Sequence, residues 1–108
     1  MNLDDYQRAA LRTINPDLSD RDRLLDASAG LAEESAELLG LIRKRIFQRR
    51  EVDEARLVEE LGDTLWCLAV AAHALGISLS DVAAANLSKL ADRHPGGFGP
   101  AKPGPRLV

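Results

Sequence analysis

Residues 30–44, GLAEESAELLGLIRK, contain the pattern that decides the fold. In and around this stretch, leucine and isoleucine recur at intervals of four or seven residues, which places them on one face of an α-helix. That apolar face is formed by Leu24, Leu31, Leu38, Ile42 and Ile46. Ser19 or Asp20 is a suitable N-cap, so the pattern predicts one long helix from there to about Arg50.

Three further helices are predicted in the rest of the chain. Each has a capping residue at its start and a glycine or proline at or beyond its end. Their expected limits are Leu3 to Thr13 capped by Asn2, Asp53 to Gly76, and Ser78 or Ser80 to about His94. The sequence has no strand alternation and no internal repeat. We therefore expect an all-α single domain of the four-helix-bundle type over residues 1–95, then a Gly/Pro-rich tail, 96–108, that is extended or disordered.

The composition of the 108-residue chain excludes several classes of protein. The single cysteine, Cys67, rules out a disulfide framework and a cysteine-based zinc site. The net charge of −3 argues against a general nucleic-acid-binding protein, since such proteins usually carry a basic face. The acidic N-terminus lacks the apolar run of a signal peptide, and the longest uncharged stretch is too short and broken to span a bilayer. These features predict a cytoplasmic protein.

The second half of the third helix is unusual because residues 64–77, TLWCLAVAAHALGI, carry no formal charge when His73 is neutral. A helix that is apolar on every side has to be covered on every side. One small bundle does this with difficulty, whereas a second copy of the chain does it readily. The sequence therefore predicts a homo-oligomer.

Two groups of carboxylates interrupt the apolar faces of the second and third helices. The first group is Glu33, Glu34 and Glu37, and the second is Glu60 and Asp63. On a helical wheel the side chains of Glu34, Glu37 and Glu60 fall within or beside the apolar stripes. Packing the two stripes together would bring Glu34, Glu37, Glu60 and Asp63 toward each other, and their repulsion and loss of hydration require a cation. Oxygen-only ligands favour Mg²⁺ first and Mn²⁺ second, and Mg²⁺ is commonly shared with substrate phosphates.

Each of these clusters can also be explained as ordinary helix surface that has no binding or catalytic role. The acids could be solvated helix surface, or could pair with cations of the nearby basic segment, residues 43–50. On the fourth helix, Asn86, Lys89 and Arg93 share one face and are suitable donors to phosphate oxygens. The same residues could equally form a solvated helix end, where cations are favourable.

Taken in order, these segments resemble the MazG-like all-α nucleotide pyrophosphohydrolase family. The family's mark is EExxE, a spacer and ExxD, which here is residues 33–37, then 22 residues, then residues 60–63. Similarity extends to LDDYQRAALRT at 3–13, EELGDTLWCLA at 59–69 and NLSKLADRHPGGF at 86–98. The resemblance thus covers roughly residues 3–98.

The resemblance implies a homo-oligomeric enzyme, a dimer or tetramer, that hydrolyses NTPs or dNTPs to the monophosphate and pyrophosphate. It implies Mg²⁺ ligands at Glu34, Glu37, Glu60 and Asp63. Glu33 and Glu34 are the expected catalytic carboxylates, with Glu33 either completing a further metal site or activating water. The substrate is expected to contact Asn86, Lys89, Arg93 and Lys44.

One departure from the family pattern concerns substrate preference. Many relatives have an aromatic residue where this chain has Cys67, and that residue can contact the nucleotide, so base and sugar preference stay open. Cys67 is expected to be a small buried side chain and not a nucleophile. Trp66 is expected in the core or an interface more than as a base-stacking platform.

Three rival functions remain open from the sequence. The first is a phosphoribosyl-ATP pyrophosphohydrolase, whose fold and acid clusters are similar. The second is a non-catalytic helical interaction module. The third is a transcription or antitoxin-type adaptor. The low pI of about 5.3 argues against direct DNA binding by such a protein.

Overall fold

The computed structural model describes residues 1–99, and this part of the chain contains four α-helices and no strand. The helices are α1 Leu3–Ala10, α2 Asp20–Ile46, α3 Glu54–Ala74 and α4 Leu79–Arg93, and a 3₁₀ turn, Leu11–Thr13, continues α1. The predicted all-α fold is confirmed. The greater part of the predicted tail, from Pro100 onward, lies outside the described residues.

Side-chain caps begin every one of these helices. Asn2 accepts a hydrogen bond from the Asp5 amide at 2.8 Å, and the Asp5 side chain accepts one in return from the Asn2 amide. Ser19 caps α2, Asp53 caps α3 and Ser78 caps α4. Each cap satisfies an amide that the first helical turn leaves without a partner. The caps at Asn2 and Asp53 are as predicted. Of the two candidates at each of the other helices, Ser19 and Ser78 form the caps, and Asp20 and Ser80 do not.

The sequence predicted the C-terminal end of α3 correctly but not that of α2. Gly76 adopts a positive φ of 74° beyond the end of α3, and Ile77 donates to the Ala72 carbonyl, which is the expected glycine-terminated helix end. However, α2 ends at Ile46 and not near Arg50 as predicted. Arg49 lies in the left-handed region with φ 52°, because the chain must reverse before α3 begins.

The most extensive helix contact is between α2 and α3, while α1 and α4 pack mainly on α3 and on each other. Gly30 faces Cys67 and Glu37 faces Glu60, so α2 and α3 run antiparallel. A Cβ atom on Gly30 would lie 3.1 Å from the Cys67 sulfur, closer than ordinary packing. The absence of a side chain at Gly30 therefore sets how closely the two helices approach.

The buried apolar residues of this part of the chain are mostly small. They are Ala10, Ala27, Cys67, Ala69, Val70, Ala72 and Leu79. Among residues 1–99 no large side chain is completely buried. No single helix here is both long and apolar enough to cross a membrane, and the α3–α4 pair meets that test only on length and composition, across a bend of 100°.

Gln7 joins α1 to the corner between α3 and α4. Its side chain is 7% exposed. The amide nitrogen donates to the Ala69 carbonyl at 3.0 Å, and the amide oxygen accepts from the Leu79 amide at 3.0 Å. One side chain thus satisfies two buried backbone groups far apart in sequence.

Replacing Gln7 with alanine should destabilise the fold by about 2–3 kcal/mol, because both backbone partners lose their hydrogen bonds in a buried place. Urea unfolding followed by circular dichroism, at fixed protein concentration, measures the change. The exposed Gln48→Ala variant is the control and should stay within about 0.5 kcal/mol of wild type. Equal stability of the two variants would contradict the role given to Gln7.

Candidate functional site

The carboxylates of the two acidic motifs meet across the α2–α3 interface. One oxygen from each of Glu34, Glu37 and Glu60 lies within 4.8 Å of the other two. We call these three residues the acid triad. Glu34 and Glu37 are neighbours on α2, one helical turn being 3.6 residues, and Glu60 reaches them from α3. This separation is small enough for the three oxygens to share one cation.

Two residues of the acid triad are withdrawn from solvent, whereas Glu37 is exposed. Glu60 is buried, with 7% of its area exposed, and Glu34 is half-buried. One oxygen of Glu34 and one of Glu60 are buried without any hydrogen-bond partner. Buried carboxylate oxygens are rarely left unpaired because their desolvation is costly. Oxygen donors of this kind, with no histidine or cysteine in the group, fit a hard divalent cation.

Mutual repulsion within the acid triad is visible in its proton affinities. A hydrogen bond with Glu34, followed by burial, raises the pKa of Glu60 above its usual 4.5. A hydrogen bond with Glu60, followed by the charge of that carboxylate, raises the pKa of Glu37. Both shifts arise because closely spaced carboxylates resist ionising together. A proton or a metal ion is needed between them.

No lysine or arginine among the described residues forms an ion pair with this group. Among residues 1–99 the ion pairs are Arg8 with Asp5 and Arg23 with Asp20, both at other places on the surface. The basic segment 43–50 therefore does not pair with the acid triad, and that alternative interpretation of the sequence is wrong for the described residues.

A cleft of about 340 Å³ adjoins the acid triad. On the α2 side it is lined by Asp26, Ala29, Gly30, Glu33 and Glu34, and on the α3 side by Asp63, Trp66 and Cys67. Glu34 belongs to both the triad and the cleft. Every charged side chain of the lining is a carboxylate, so the cleft attracts cations and repels bare phosphate.

The model of the MazG nucleotide pyrophosphohydrolase domain matches residues 24–98, more than half of the chain. This range contains both acidic motifs, all of α2 except its first four residues, and the whole of α3 and α4. The chain is a member of the MazG nucleotide pyrophosphohydrolase family. Its general activity is therefore that of a nucleotide pyrophosphohydrolase, a class that typically depends on a divalent metal. No curated protein and no solved structure matches the chain.

In this MazG domain the predicted metal ligands fall into two places. Glu34, Glu37 and Glu60 form the acid triad, whereas Asp63 lies outside that group and lines the cleft with Glu33. Sequence spacing alone does not explain the difference, because Glu34 and Glu37 are also three residues apart and both belong to the triad. Whether all four bind metal stays a prediction.

The predicted phosphate-binding residues lie elsewhere on the MazG domain. Lys44 is exposed near the end of α2, about 10 Å along the helix axis from Glu37. Asn86, Lys89 and Arg93 are exposed on α4, and among residues 1–99 no side-chain hydrogen bond or ion pair engages them. Their roles in binding substrate stay predictions.

The cleft also contains residues that were not among the predicted site residues. Asp26 is the clearest case, and its spacing from Gly30, Glu33 and Glu37 on one side of α2 is the sequence signal that points to it. Cys67 is 4% exposed, and burial, followed by the charge of Glu34, raises the pKa of its thiol. This agrees with the expected small, buried, non-nucleophilic role.

Replacing Glu60 with glutamine should change how stability depends on pH in metal-free protein. The raised pKa of Glu60 stabilises the fold fully below pH 4.5, and this contribution is lost as the pH rises through the folded-state pKa. Glu60→Gln removes that loss, so the variant should gain stability relative to wild type as the pH rises above 4.5 and through the folded-state pKa. Urea unfolding in the presence of EDTA measures it.

The matched control is Glu59→Gln, a neighbouring exposed carboxylate outside the acid triad. Its stability relative to wild type should not follow the same pH trend. Adding Mg²⁺ at about pH 8 should stabilise wild type and Glu59→Gln more than Glu60→Gln. The same pH trend in both variants would argue against a repelling triad.

Proposed function

We propose that the chain is a homo-oligomeric, Mg²⁺-dependent enzyme that hydrolyses NTPs or dNTPs between the α- and β-phosphates. The products are a nucleoside monophosphate and pyrophosphate, and the role is housekeeping of the cytoplasmic nucleotide pool. The observation that carries the proposal is the acid triad, whose oxygens lie within 4.8 Å of one another with two of them buried and unpaired.

The proposed metal ligands are Glu34, Glu37 and Glu60, with Asp63 contributing from the cleft side. Their oxygen-only chemistry supports Mg²⁺, with Mn²⁺ as the second choice. When bound, the metal neutralises phosphate charge and lowers the pKa of a water molecule.

Glu33 is the proposed acceptor of the proton from the attacking water. It is exposed and lines the cleft beside Glu34, so its carboxylate is next to the metal site without belonging to the triad. A base in this position can take a proton directly or through one water. Lys44 and the donors of α4, Asn86, Lys89 and Arg93, are proposed to hold the triphosphate oxygens in line for attack.

The proposed oligomer is supported by a stripe of exposed leucines on α3. Leu61, Leu68 and Leu75 follow one another every seven residues and are 55%, 41% and 60% exposed. Seven-residue spacing places them on one side of the helix, as in helices that pair with other helices. Together with a core of small side chains, this face favours association through a second copy of the chain.

Incubating the protein with Mg²⁺ and a panel of nucleotides should release pyrophosphate and no orthophosphate, which ³¹P NMR distinguishes. Glu60→Gln should lower turnover more than about a hundredfold, because it removes a charge from the metal site. Glu59→Gln should keep near-normal turnover. Release of orthophosphate alone, or full activity of Glu60→Gln, would overturn the proposal. Hydrolysis restricted to phosphoribosyl-ATP would favour that related enzyme.

Introducing a charge into the leucine stripe should dissociate the oligomer. Leu68→Glu should sediment as a smaller species than wild type, because a buried carboxylate at an apolar interface is costly. Gln48→Glu adds the same charge at an exposed polar position and should sediment as wild type. Wild type that sediments as a monomer at all accessible concentrations would contradict the oligomer.

A further inference from the structure

The cleft beside the acid triad suits the uncharged part of a nucleotide better than its phosphates. Four carboxylates line it, those of Asp26, Glu33, Glu34 and Asp63, and no lysine or arginine of residues 1–99 does. Phosphate groups are repelled by such a lining unless a metal lies between, and the triad at one end is where a metal is expected. The end of the cleft toward Asp26 is left for a group that is neutral and rich in hydrogen-bond donors.

One wall of the cleft is a tryptophan in a fixed orientation. The indole nitrogen of Trp66 donates to the Thr13 hydroxyl at 2.8 Å, and that hydroxyl donates to the Ala10 carbonyl at 2.6 Å. The Thr13 hydroxyl therefore accepts one hydrogen bond and donates another, and the edge of the indole ring is hydrogen-bonded to the 3₁₀ turn. A held aromatic face is a suitable surface for a nucleobase.

The space in front of this wall exists because its other neighbours are small. Ala29 and Gly30 on α2 face Cys67 on α3, and none of the three fills the cleft. Asp26 lies one helical turn before Gly30 on the same side of α2. Its distance from Glu34 along the helix axis is about 12 Å, comparable to the length of a nucleoside.

We propose that this cleft binds the base of the substrate against Trp66 and that Asp26 selects bases carrying an exocyclic amino group. The inference rests on the proposed function, because it assumes that the triphosphate lies at the acid triad. A carboxylate accepts hydrogen bonds and donates none when ionised. The amino groups of cytosine, adenine and guanine are donors that it can accept. Where cytosine has its amino group, uracil and thymine have a carbonyl oxygen, which repels the carboxylate.

Trp66 provides the measurement, since it is the chain's only tryptophan. Intrinsic fluorescence of the full chain is titrated in Mg²⁺ with the α,β-methylene analogues of dCTP and dUTP. These differ in the group at position 4 of the base and in the hydrogen on N3, and both resist cleavage of the α–β bond. Both should change Trp66 emission, and the cytosine analogue should bind about tenfold more tightly, the effect of one hydrogen bond to a charged acceptor.

Asp26→Asn should remove that preference, because an amide presents a donor as well as an acceptor. Asp22→Asn is the matched control, since Asp22 is an exposed carboxylate at the start of the same helix and outside the cleft. It removes the same charge and should keep the tenfold preference. Loss of the preference in both variants would show that only the overall charge matters and would overturn the assignment of Asp26.

Three further results separate this inference from the proposed function. Hydrolysis of dNTPs while neither analogue changes Trp66 emission would place the base elsewhere and leave the activity intact. Emission that changes with Mg²⁺ alone and not further with either analogue would make the cleft a cation site only, and would overturn the inference. Base-selective binding without hydrolysis of any nucleotide would support the cleft assignment and remove the proposed reaction.

Discussion

Repulsion among carboxylates at the interface of α2 and α3 is the constraint on which the rest of this protein depends. The apolar faces of two antiparallel helices cannot pack here without bringing Glu34, Glu37 and Glu60 together. In metal-free protein the raised pKa values of Glu37 and Glu60 express that cost. A divalent cation between the carboxylates would offset this repulsion, and the family to which the chain belongs typically depends on such a metal.

The core is built of small side chains, which allow α2 and α3 to pack closely at this interface. Gly30 and Cys67 allow α2 and α3 to approach, and alanines fill much of what remains buried. Small residues contribute less apolar area than large ones, so such a core stabilises the chain only modestly. Large apolar residues such as Leu61, Leu68 and Leu75 are on the outside of α3, where association with another chain would bury them.

Glu34 connects the two parts of the site, because it belongs to the acid triad and also lines the cleft. Charge is concentrated at the triad end, where phosphates and a metal are expected. The opposite end offers the indole of Trp66 and the carboxylate of Asp26, which suit a stacked, hydrogen-bonding base. Cys67 lines the cleft as a small side chain, and the neighbouring Trp66 supplies an aromatic surface to it.

The sequence by itself determined the helices and the order of the acidic motifs, since caps, glycine stops and apolar periodicity are local signals. It placed Glu34, Glu37 and Glu60 near the shared interface because a helical wheel gives the direction of each side chain around its own axis. Only the tertiary structure decided that α2 stops at Ile46, that Asp63 lies apart from the triad, and that Asp26 and Trp66 share a cleft. These depend on the register and rotation of one helix against another, which are set by close contacts such as Gly30 with Cys67 and by the reversal of the chain near Arg49.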